Sequence, residues 1–307
     1  MTRTGDPRAL ADEPARPLLP EGVVALILGF IGMSMFAGTL PATRIALDGF
    51  GPGFISAGRA FGAGLVALLV VMVTRSPLPA RRDLPQFAMI SVCLIAGFPI
   101  FLGLAMVHVP ASHGSVVLAI LPIATTIAAA IVGGERPGLL FWLLGVLGGA
   151  IVLVFSLSDA GWSLQWGDTY LLIGAAFAAF GYALSGKLAR RMPGWTVMAW
   201  TLIFTLPFTG LASYATRPDV WPTTPSVWIA LGYLAVFSVF VGFYFWNRAM
   251  AIGGIAKVGQ IQLLQPFITI LIAYLIGGEA LEPHLIVFAV LVVTVVGAAQ
   301  KVKVTRR

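Results

Sequence analysis

The chain is short of charge. Of its 307 residues only 10% are charged and 59% are hydrophobic, whereas about a quarter of a soluble domain is charged. That balance excludes an ordinary water-soluble fold. Cysteine is nearly absent: Cys93 stands alone inside an apolar run, so no internal disulfide can form. Histidine is scarce as well. His108, His113 and His284 make no metal-ligand spacing with that cysteine, and neither a metal nor another cofactor is expected. There is no G-x-S-x-G elbow and no P-loop. Nothing pairs a nucleophile with a base, so the chain does not read as an enzyme. Residues 1–21 mix both charge signs with proline and lack the apolar core of a signal peptide. They read as a disordered cytoplasmic tail.

Acids are missing from the interior. The twelve are Asp6, Asp12, Glu13, Glu21, Asp48, Asp83, Glu135, Asp159, Asp168, Asp219, Glu279 and Glu282. Each falls in a tail, a loop or a segment end. A proton-coupled antiporter usually keeps a carboxylate at membrane depth to hold and release the proton. Its absence points to movement down a solute gradient, with His113 or Lys257 left as groups that could still titrate.

What the chain does have is apolar runs of about 20 residues, the length that crosses a bilayer as a helix. They predict helices over 23–47, 53–73, 84–107, 111–133, 138–157, 167–189, 194–216, 225–251, 255–277 and 283–301. Prolines and glycines punctuate the joints: Pro77, Pro79, Pro110, Pro137, Pro193, Pro222 and Pro283 among them. The runs are too long for barrel strands and do not alternate. The net charge of +7 suits a membrane partner and does not call for nucleic acid, because Lys and Arg collect in cytoplasmic loops. With the N-terminus inside, all Lys and Arg fall on the cytoplasmic side except Arg44, Arg59 and Arg217. Trp162, Trp166 and Trp221 fall on the opposite side, as in an interfacial aromatic belt. Both termini are therefore expected inside, in the inner membrane of a bacterium.

The chain also repeats itself. PIATTIAAAIVGGER, Pro122 to Arg136, returns as PFITILIAYLIGGEA, Pro266 to Ala280, at an offset of 144 residues with no gap. Pro122, Thr125, Ala129, Gly133, Gly134 and Glu135 fall on Pro266, Thr269, Ala273, Gly277, Gly278 and Glu279. The same offset carries Ala105-Met106 onto Ala249-Met250 and Phe36 onto Phe180. Such a period marks a duplicated unit. Five helices per copy is an odd number, so the second copy enters the membrane upside down. The expected fold is an all-α membrane protein of ten transmembrane helices, arranged as two inverted five-helix repeats over 22–157 and 158–301, with a basic cytoplasmic tail at 302–307. Inverted repeats commonly bind their solute between the halves near mid-membrane.

These residues resemble the drug/metabolite transporter superfamily, and within it the ten-helix branch with paired EamA domains. The likeness rests on the two Pro-containing helices ending in Gly-Gly-Glu, the Ala-Met pairs before them, and the Phe36…Arg44 and Phe180…Lys187 arrangements. It spans about 22–301, and departs from the family at Phe36, where tryptophan is usual. The resemblance implies transport of small metabolites, often export, through a cavity surrounded by helices 1, 3, 4, 6, 8 and 9. Within the branch the chain is similar to bacterial amino-acid exporters, including aromatic-amino-acid exporters, although substrate preference is not written in the repeat motif.

Polar side chains at membrane depth are costly and so are functional candidates. The ninth segment holds Lys257, Gln260, Gln262, Gln265 and Thr269, where the fourth has His113, Val116, Leu118, Leu121 and Thr125. One amide-rich wall facing an apolar wall suits an amphipathic solute with a polar head, since amides donate to carboxylates and accept from ammonium groups. The bland alternative is that these amides only tie helices together. Lys257 either attracts a substrate carboxylate or snorkels to the surface. His113 either lines a path or bonds a neighbouring carbonyl. Tyr182, Tyr244, Trp246 and Asn247, with Phe36, Phe98, Phe101 and Phe180, offer an aromatic wall, though a membrane aromatic more often faces lipid. Arg44 and Arg59 read as structural, with Asp48 or helix-end carbonyls as partners for Arg59. Thr125 and Thr269 either bond the solute or the preceding turn. The Gly58-xxx-Gly62 spacing is common among 35 glycines and favours packing within the monomer; monomer and homodimer both stay open. The expected function is amino-acid export by alternating access. Export of a nucleoside, sugar, phosphorylated metabolite or drug-like solute is the alternative, and a receptor or intramembrane enzyme the rival class.

Overall fold

The computed structural model describes residues 19–110, 113–114, 117–160, 165–277 and 284–306. Residues 1–18, Trp162 and Glu279, on which some of the expectations fall, lie outside them. The described chain is almost wholly helical. Seven helices are long and apolar enough to cross a membrane: α1 Glu21–Leu47, α2 Pro52–Thr74, α3 Arg81–His108, α6 Trp166–Leu188, α7 Gly194–Ala215, α8 Pro225–Gly253 and α9 Ile255–Ile276. Shorter apolar stretches lie on α4 Leu118–Ile131, α5 Leu139–Ala160 and α10 His284–Lys301. Helical backbone satisfies its own amides, which nothing in a hydrocarbon layer would do.

Several of these helices are interrupted, and in most cases proline accounts for it. A proline at position i cannot donate to the carbonyl at i−4 and crowds it. Leu118–Ile120 tightens to a 3-10 turn just before Pro122, and Gln260–Leu264 does the same before Pro266. The two breaks are equivalent under the internal repeat. In α3 the coil widens to a π segment, Ser91–Gly97, ahead of Pro99. A second π segment, Leu234–Val241, lies in α8 with no proline to explain it. In α1 the helix breaks at Gly38. Pro41 leaves the carbonyl of Ala37 without its helical partner, and Thr269 Oγ1 on α9 donates to it at 3.0 Å. The copy has Ser185 in place of Pro41, and α6 runs unbroken.

The helices pack closely through small residues. A Cβ added at Gly32 of α1 would lie 3.0 Å from both the carbonyl oxygen of Gly242 and the amide of Trp246 on α8. Backbone here meets backbone, as membrane helix pairs with small contact residues allow.

At one end of the bundle, β1 Glu135–Pro137 pairs antiparallel with β2 Val304–Arg306, in the register Glu135↔Arg306 and Pro137↔Val304. The last residues, expected as a tail, thus include a short paired strand. The Gly-Gly-Glu motif has a mechanical role at this end. Gly134 takes a left-handed φ of 68°, turning the chain so that the buried Glu135 carboxylate accepts from the amides of Ile255 (2.9 Å) and Ala256 (2.8 Å). Those are the first free N–H groups of α9, where a negative charge is favoured. Arg190, following α6, completes the joint by donating to Glu135 and to the carbonyl of Gly133.

Candidate functional site

A narrow cleft opens where both copies meet. The first copy supplies Phe36, Thr39 and Leu40 from α1, Arg59 from α2, Leu94, Ile95, Phe98 and Leu102 from α3, and Leu118 and Leu121 from α4. The second supplies Tyr182 from α6, Ser238, Val239 and Phe243 from α8, and Gln265 from α9. The floor is aromatic. Phe36 stacks parallel to Tyr182 at 6.1 Å and meets Phe243 at 4.9 Å and the edge of Trp246 at 5.7 Å. The break at Gly38 lets Thr39 and Leu40 line the cleft beside Phe36.

Arg59 is the charged group of this cleft. It stands seven residues along α2, about 10 Å from the helix start at 1.5 Å per residue, and is 4% exposed. Its Nη2 donates to Ser238 Oγ at 3.0 Å, and Ser238 Oγ lies 2.8 Å from Thr39 Oγ1. Its Nε has no partner among the described residues. Among the described residues Asp48, one partner anticipated for it, forms no ion pair with it; the pairs there include His113–Asp168, Arg190–Glu135 and Arg191–Asp83. Gln265, 8% exposed, also opens on the cleft. Among the described residues no three of His, Cys, Asp and Glu converge as metal ligands.

The sequence matches the EamA-like transporter family twice, over residues 23–157 and 165–298. The chain belongs to the EamA-like transporter family. Among relatives of this EamA-like transporter, the uncharacterized transporter YdeK of Bacillus subtilis is 39% identical over 277 residues, covering 90% of this chain and 96% of the relative. A probable terminal-alkyne amino-acid exporter of Streptantibioticus cattleyicolor is 27% identical, covering 86% and 88%. A solved crystal structure superposes with a TM-score of 0.72 at 20% identity, covering 90% of this chain and 98% of that one, a likeness of fold.

The structure of this EamA-like transporter sorts the residues singled out from sequence. Gln265 and Tyr182 line the cleft. Trp246 is fully buried behind it, in the aromatic floor. The others lie elsewhere. Gln260 Nε2 donates to Thr126 Oγ1 at 3.3 Å, and Gln262 Oε1 accepts from Thr125 Oγ1 at 3.4 Å, so both amides sit in the α4–α9 joint. Asn247 accepts from Ser185 (2.8 Å) and donates to the carbonyl of Gly194 (3.1 Å). Lys257 Nζ donates to the carbonyl of Gln300 at 2.7 Å, and Gln300 donates back to the carbonyl of Lys257. His113 bonds Asp168 at 2.6 Å near the end of the bundle far from the strands. Thr269 holds the Ala37 carbonyl, and Tyr244, 37% exposed, packs edge-on against Phe245. Sequence reasoning passed over Arg59, Ser238 and Thr39 as cleft groups. A signal existed for the first: an arginine at membrane depth with no acid a helical turn away.

Proposed function

We propose that this protein exports small amino-acid-like metabolites across the inner membrane by alternating access through the cleft. The observation that carries this reading is the cleft itself, which lies at the seam of the two copies and is lined from both. In this reading the ten apolar helices all span the membrane, the second five inverted relative to the first, with both termini in the cytoplasm. The bias of Lys and Arg toward one side supports that orientation. The amino-acid exporter among the relatives and the mixed lining support the substrate class: an aromatic and aliphatic floor beneath a few polar groups fits an amphipathic solute with a polar head. The described ion-paired acids all lie at helix ends or loops, which supports gradient-driven movement without a carboxylate proton carrier. The decisive experiment reconstitutes the protein in liposomes and follows a panel of radiolabelled amino acids, nucleosides and sugars, with and without a pH gradient. Saturable amino-acid flux that does not require the pH gradient is expected. Flux confined to nucleosides or sugars overturns the substrate class, and no flux of any solute overturns transport through this cleft.

A further inference from the structure

We propose that Arg59 is the docking point for a single carboxylate on the transported solute, held in position by Ser238 and Thr39. This deepens the transport reading and rests on it. The guanidinium is buried, yet it is bound on one side only: Ser238 takes Nη2, while Nε has no partner among the described residues. Among the described residues no acid forms an ion pair with it; Tyr182 lines the cleft beside it, and Tyr233 is engaged with the carbonyl of Met35. A buried cation without a counter-ion is costly, and the cost is recovered when an anion arrives. The planar fork of donors on arginine matches a carboxylate with two parallel bonds.

The internal repeat shows that packing does not require this charge. At the offset of 144, Arg59 corresponds to Ile203, Ser238 to Leu94, Thr39 to Ala183 and Gln265 to Leu121. Each of these four polar positions is apolar in the other copy, and Leu94 and Leu121 line the same space. The bundle therefore accommodates apolar residues at the equivalent positions of the other copy. One cation balances one negative charge, so a monocarboxylate fits and a phosphate dianion leaves excess charge. Gln265 faces the remainder of the polar head, with an oxygen to accept from an ammonium group.

The test measures binding to the full-length protein in detergent, by ligand-induced shift of thermal unfolding. The probes are 3-phenylpropionate, L-phenylalanine, L-phenylalaninamide and phenethylamine, with L-leucine and L-leucinamide as an aliphatic pair. The acids are expected to bind about ten- to a hundredfold more tightly than the matching amide or amine, the worth of a hydrogen-bonded charge. Arg59→Met should bring acids and amides to within about threefold of each other, and Arg59→Lys should keep a weakened preference. Should the methionine variant fail to fold, Ser238→Ala retains the guanidinium but frees it, and the acid-to-amide ratio should fall. Equal binding of acids and amides, acid preference that survives Arg59→Met, or no shift with any acid overturns the proposal. Acid-selective binding lost in Arg59→Met, together with no flux in liposomes, leaves the site standing and removes the transport reading instead.

Discussion

Gln260, Gln262 and Gln265 lie within six residues of one another, yet they have different surroundings. Gln260 and Gln262 meet threonines of α4, while Gln265 faces the cleft. The consequence is a separable pair of phenotypes. Gln265→Ala should lower solute flux about tenfold, the value of a polar contact to a charged head, with the melting midpoint unchanged. Gln260→Ala should leave flux near normal and cost roughly 1–2 kcal/mol of stability, read as a lower melting midpoint in detergent. The reverse pattern would show that the α4–α9 joint, and not the cleft, holds the solute. The presence of polar groups at membrane depth was legible in the sequence, but their facing was not. Spacing in the sequence puts Gln262 and Gln265 on one face, three residues apart, but it does not say which neighbouring helix each amide meets. Arg59 was read as structural for a related reason. A single position on an apolar helix does not say which neighbours surround it, and its hydroxyl partner Ser238 is 179 residues away.

At the scale of elements, the Gly-Gly-Glu turn works as a clamp on α9. Glu135→Gln removes the charge that faces both Arg190 and the helix start, and should cost roughly 3 kcal/mol, as for other broken buried pairs. The exchange Glu135→Arg with Arg190→Glu should not restore the midpoint, because the amides of Ile255 and Ala256 need an acceptor. A full rescue would mean that the salt bridge alone matters. Gly254, just before α9, has φ 94° and ψ 147°, a region nearly closed to side chains. Gly254→Ala should therefore cost about 1–3 kcal/mol, measured by the same melt. The helix limits were readable to within a few residues because proline, glycine and charge mark them plainly. The interruptions inside the helices were less readable. Proline signals a lost hydrogen bond but not whether the coil tightens, as before Pro122, or widens, as before Pro99, and no proline accompanies the π segment of α8. The partner that rescues the freed Ala37 carbonyl lies 232 residues away.

For the whole molecule, duplication provides the scaffold and unequal substitution provides the polar groups of the cleft. The matched prolines of α4 and α9 give matched breaks, whereas Pro41 is found in one copy only and bends α1 alone. The proposed inversion has a direct check. Single cysteines at positions 136, exposed beside the buried Glu135, and 279, in a background lacking Cys93, should react with a membrane-impermeant maleimide from opposite faces of intact cells or sealed vesicles. Position 136 should label only after access to the cytoplasmic face. Labelling of both from one face would contradict the inverted arrangement. The two copies were evident from the sequence because their motif aligns without a gap. The meeting of Arg59, Ser238 and Thr39 in the cleft became visible only once distant helices were brought together.

The strand pair joining β1 to β2 also has a practical bearing on how the gene is edited. Val304 stands three positions after Lys301, the last residue of α10, and meets Pro137 in a set register. One extra codon spliced into that short spacer would slide the ladder by a step and exchange which side chains point toward the bundle. A purification handle or fluorescent reporter joined beyond Arg307 leaves the alignment alone; the same cargo inserted before Val304 would disturb the turn that presents Glu135.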